Sequence, residues 1–75
     1  MTIDEAKKAI AMLKQSGLSD EQIAKSFALM FINDEIDIHI LEALMHVLGY
    51  ELDADFLKLD TKAQKMSIKR IYGIR

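Results

Sequence analysis

The chain reads as an all-α protein, a compact bundle of four to five short helices forming one domain over residues 1–75, and three observations predict this. It contains no Pro, and no stretch alternates apolar and polar residues for long enough to make a half-buried strand. Helix-starting signals recur: Thr2-Ile3-Asp4-Glu5, Ser19-Asp20-Glu21-Gln22 and Thr61-Lys62-Ala63-Gln64 each set a hydroxyl three residues ahead of Glu or Gln, the pattern of a capping box. Gly17, Gly49 and Gly73 each follow an apolar stretch of helical period, where a left-handed residue closes a helix.

The first helix starts at the Thr2 box. Ile3, Ala6, Ile10 and Leu13 recur at helical spacing with Ala9 beside them, Lys7, Lys8, Lys14 and Gln15 take the other side, and Gly17 ends the helix. The second starts at Ser19, with Leu18 and Ile23 placed to pack across the cap as a hydrophobic staple. Its stripe of Ile23, Phe27, Met30 and Phe31 is widened by Ala24, Ala28, Leu29 and Ile32 until little of the last two turns is polar.

Asn33 and Asp34 read as the next stop and cap, predicting a third helix from about 35 to 48. Ile36, Ile40, Leu44, Val47 and Leu48 make one apolar stripe, Ile38, Leu41 and Met45 a second, and only Glu35, His39, Glu42 and His46 leave a polar line. Beyond Gly49, Asp53 is placed to cap a short helix near 53–59, and the Thr61 box predicts a further helix over 62–72. The competing arrangement is one continuous helix, which aligns Lys58, Lys62, Lys65 and Lys69 in a single basic line.

A chain of 75 residues removes only ~60% of its unfolded surface from water, so its stability is expected to be marginal without help from packing or association. There is no Cys for a disulfide or a thiolate metal site. With 51% hydrophobic and 29% charged residues, the chain is too apolar for disorder and too charged for a membrane protein. Asp4 and Glu5 precede any apolar run, against the order of a secretory signal. The longest apolar run, 27–32, falls far short of the ~20 residues that span a bilayer. A cytoplasmic location without a membrane partner is the expectation.

Charge is divided along the chain. Residues 33–60 carry Asp34, Glu35, Asp37, Glu42, Glu51, Asp53, Asp55 and Asp60 against Lys58 alone, whereas the last fifteen carry Lys62, Lys65, Lys69, Arg70 and Arg75 with no acid. The two regions are suited to pair within one molecule or to reach two different partners.

Residues able to do chemistry are sparse. His39, Glu42 and His46 share a helix face, yet the two imidazoles lie seven residues apart, ~10 Å along the axis at 1.5 Å per residue, too far to share an ion. The spacing matches neither His-Glu-x-x-His nor the Glu-x-x-His of di-iron bundles. A calcium loop starting at Asp53 fails at Lys58, where Gly is needed, and at Gln64, where the bidentate Glu belongs. No Ser sits in a strand-turn-helix elbow, and the three Gly are isolated rather than grouped in a phosphate loop. No catalytic residue, metal site or cofactor is expected.

The segment LKQSGLSDEQIA, residues 13–24, resembles the first half of a helix-turn-helix, and LEALMHVLGYELDADFL, residues 41–57, is similar to the closing helices of phage-repressor DNA-binding domains. That class follows its Ile-Ala pair with a Gly-containing turn and a polar recognition helix. Here Lys25-Ser26-Phe27-Ala28-Leu29-Met30-Phe31-Ile32 follows, with acids next, and such a segment is unsuited to reading bases.

Two functions follow as expectations. The wide apolar arc over 27–49 exceeds what a small bundle needs to cover, which points to a non-enzymatic protein-interaction module, a homodimer or an adaptor or inhibitor of a larger protein, contacting its partner through Phe27, Met30, Phe31, Ile38, Leu41 and Met45. The alternative is a nucleic-acid-binding regulator related to helix-turn-helix proteins, contacting phosphates through Lys62, Lys65, Lys69 and Arg70.

Overall fold

The computed structural model describes residues 2–74. Among these residues five helices follow one another: α1 (Ile3–Gln15), α2 (Asp20–Ile32), α3 (Ile38–Val47), α4 (Ala54–Leu57) and α5 (Thr61–Tyr72). The all-α class is as the sequence predicts, and residues 53–72 form two helices rather than one.

The first two capping boxes form as read. Thr2 Oγ1 accepts from the Glu5 amide at 3.2 Å while Glu5 returns a bond to the Thr2 amide at 3.3 Å. Ser19 and Gln22 do the same at 3.2 and 2.9 Å. Each exchange satisfies two amides that have no partner within the helix.

The later starts differ from expectation. Helix α3 begins at Ile38, because Asp37 rather than Asp34 is its cap and accepts from the Ile40 amide at 2.9 Å. Helix α5 is capped by Asp60, which accepts from the Ala63 amide at 2.8 Å, so the Thr61 hydroxyl starts no capping box. Gln64 is instead turned inward: it is the one buried polar side chain among the described residues, and its amide nitrogen donates to the Phe56 carbonyl at 3.4 Å, tying α5 to α4.

One closing motif ends all four long helices. The amides of Leu18, Glu35, Tyr50 and Ile74 reach back to the carbonyls of Leu13, Met30, Met45 and Lys69, which requires a left-handed residue just before each. Gly17, Gly49 and Gly73 supply it at three ends; at the fourth it is Asp34, with φ 61°, the one non-glycine residue of positive φ among those described.

Helix α2 is the centre of the bundle. Helices α1, α3 and α5 all pack against it, and α1 also packs on α3. With neighbours on three sides, α2 buries Ile23, Ala24, Phe27, Ala28 and Phe31, against Ala6 and Ile10 of α1, Leu41, Leu44 and Met45 of α3 and Ile68 of α5, in one continuous core. The radius of gyration of 11.8 Å is near the ~11 Å of a compact chain this long, so α5 is folded onto the core rather than extended from it.

Candidate functional site

The chain itself covers four of the six residues expected at a partner interface. Phe27, Phe31, Leu41 and Met45 are each at most 2% exposed, so the expectation that they present an open docking face is corrected. Most of the width of the apolar arc reflects the three helices around α2, although Leu29 and Val47 stay exposed. Met30 and Ile38 are half-buried at the edge of the same core.

What remains open at this edge is a groove of about 340 Å³ where α2 turns into α3 and meets the start of α5. Phe31, Ile36, Ile38 and Ile40 form its floor, and Asp34, Glu35, Asp37 and Thr61 form its rim. The closing motif of α2 sets the rim geometry, because the left-handed Asp34 turns the chain and leaves Asp34, Glu35 and Asp37 exposed on one short connection, on either side of the buried Ile36. In the sequence alone these carboxylates read as helix signals. Three acids between two apolar helices come to border a groove only because the start of α5 lies alongside.

Among the described residues the expected attraction between the acidic middle and the basic tail is realised at one point. Lys65 pairs with Asp34, and the lysine side chain is only 23% exposed in doing so. Lys65 therefore leaves the group of phosphate-contacting candidates, while Lys62, Lys69 and Arg70 stand exposed on the outer side of α5. Met66, 56% exposed, sits one turn from Lys62 and Arg70 on that same face. Arg75 lies outside the described residues.

The polar line of α3 borders a second groove, of about 480 Å³, lined by His39, Glu42, Ala43, His46, Tyr50, Glu51 and Leu52. Among the described residues no group of three or more His, Cys, Asp or Glu side chains is arranged to hold a metal ion. Asp53 and Asp60 serve as helix caps: Asp53 accepts from the Asp55 amide at 3.2 Å, and Asp60 caps α5.

At the far end of α5, Tyr72 donates its hydroxyl to Met45 Sδ at 3.9 Å. Burial raises the pKa of this phenol above its ordinary value, and the nearby Tyr50 and Glu21 raise it further. Helix α2 runs unbroken past Ile23 and Ala24, so the turn and recognition helix of a helix-turn-helix do not follow that pair. No helix among the described residues is long and apolar enough to cross a membrane. No family model matches the chain, and no curated protein or solved structure matches it significantly.

Proposed function

We propose that the chain is a small, non-enzymatic, cytoplasmic protein-interaction module, working as a homodimer or as an adaptor or inhibitor of a larger protein. The observation that carries this reading is the groove at the α2–α3 turn, where the half-buried Ile38 and Ile40 present apolar surface over the buried Phe31 and Ile36, under an acidic rim. An apolar centre inside a polar edge is the anatomy of a protein interface. The groove's members come from three elements that the core holds in place, so a partner meets a surface that needs little ordering.

The test is co-purification and sedimentation of the chain beside Ile38→Glu, a change on the half-buried floor. The wild-type chain is expected to form a dimer or a stoichiometric complex that the variant loses while keeping its helical circular dichroism. A chain that is monomeric at high concentration and isolates without a stoichiometric protein refutes the proposal.

A second reading, a nucleic-acid-binding regulator, is favoured by the exposed Lys62, Lys69 and Arg70. Against it, Lys65 is engaged by Asp34, and carboxylates beside the start of α5 repel phosphate. This reading predicts duplex binding that falls steeply with salt.

A further inference from the structure

We infer that the occupant of the α2–α3 groove is the outer face of α5 from a second copy of this chain, in a symmetric dimer. The inference rests on the interaction-module reading and names the partner within it.

Three features of the surface lead there. The first is complementarity: the groove sets Asp34, Glu35 and Asp37 around an apolar floor, and the outer face of α5 sets Lys62, Lys69 and Arg70 around the exposed Met66. Charge opposes charge, and the flexible thioether is suited to an irregular apolar floor. The second is that this pairing already occurs within one chain, where Asp34 on the rim takes Lys65 of α5.

The third feature is adjacency. Thr61, the first residue of α5, belongs to the groove rim, and Lys62 follows it directly, so the acidic groove and the basic face share a border on each molecule. A two-fold axis through that border brings each groove onto the other's basic face, and both contacts form at once. Such an arrangement closes, whereas complementary patches on opposite sides of a molecule build open filaments. The dimer depends on charge and weakens as added salt shortens the screening length.

The experiment is sedimentation equilibrium of the full chain at low and high salt, beside Glu35→Lys and the double variant Lys62→Glu/Lys69→Glu, with circular dichroism melts confirming that each folds. Lys62→Gln/Lys69→Gln replaces the double reversal if that variant fails to fold, and is expected to weaken the dimer in the same direction. The expected result is a salt-sensitive dimer whose Kd rises at least about tenfold in each reversal variant. Mixing the two reversal variants should restore a heterodimer, because one of its two contacts is then native and the other has both charges exchanged.

A dimer that neither reversal weakens overturns this contact and leaves the interaction-module reading standing. So does a monomeric chain that binds a larger stoichiometric partner and loses it in Glu35→Lys. A monomeric chain that forms a salt-sensitive complex with duplex DNA, lost in Lys62→Glu/Lys69→Glu, overturns both in favour of nucleic-acid binding.

Discussion

Replacing Phe27 by Ala distinguishes a core residue from an interface residue. The ring is 2% exposed and lies on α2, where α1, α3 and α5 converge. Removing a buried Phe costs about 3–5 kcal/mol, from lost transfer energy and the cavity left behind. A chain of 75 residues has a total stability of about 4–11 kcal/mol at the usual increment per residue, so this one change removes about a quarter of it or more. At roughly 4–8 °C per kcal/mol for a domain this small, the melting temperature should fall by at least about 12 °C. The assay is urea unfolding followed by circular dichroism at high salt, where association through charges is screened, at two protein concentrations. A loss in this range, equal at both concentrations, is expected. A loss below about 1 kcal/mol accompanied by loss of association contradicts the placement of Phe27 in the core.

Further outcomes follow from individual residues. Asp34→Asn keeps a side chain that tolerates the left-handed backbone and removes only the exposed ion pair with Lys65, so it should cost at most about 1 kcal/mol. Asp34→Val forces a β-branched residue to φ 61° and should cost about 1–2 kcal/mol more by chemical denaturation. Ser19→Ala removes the oxygen that accepts the Gln22 amide and should cost about 1 kcal/mol, measured the same way. Because the pKa of Tyr72 is raised in the folded state, the folded chain holds this proton more tightly than the unfolded chain does. The resulting stability is present below the ordinary phenol pKa of ~10 and is lost as pH rises from there through the folded value. Tyr72→Phe should flatten that alkaline fall in the melting temperature, and an unchanged slope would assign it to other groups.

The local rules of the chain were legible wherever one residue could fill a role. Thr2 has no capping residue directly beside it, and although Ser19 has Asp20 next to it, only Ser19 has a Gln three residues on to return the bond; both boxes form. At the start of α3 the acids at 34, 35 and 37 all suit a helix N-terminus, and propensity does not rank them. The outcome is decided by burial: Ile36 lies in the core before the helix begins, so the connection must turn at Asp34 and the cap falls to Asp37. Asp60 displaces Thr61 in the same way, since starting one residue earlier leaves Gln64 free to reach Phe56.

The candidate site was legible only in part, for a related reason. Hydrophobic periodicity shows how wide an apolar arc is, not how many neighbours share it. With α1, α3 and α5 around α2, Phe27, Phe31, Leu41 and Met45 are consumed by the chain's own fold. The rim of Asp34, Glu35 and Asp37 and its closeness to Lys62 depend on α5 returning to the end of α2. That is a contact between residues some thirty positions apart, as Lys65 and Asp34 show, and no local pattern encodes it.

The most direct test of the interaction surface is a dilution series of the isotopically labelled chain followed by amide chemical shifts at low salt. Asp34, Glu35, Asp37, Thr61 and Lys62 should shift together with concentration and stop shifting when salt is added. Shifts that do not change with concentration, or that change on α1 while these five stay fixed, would contradict it.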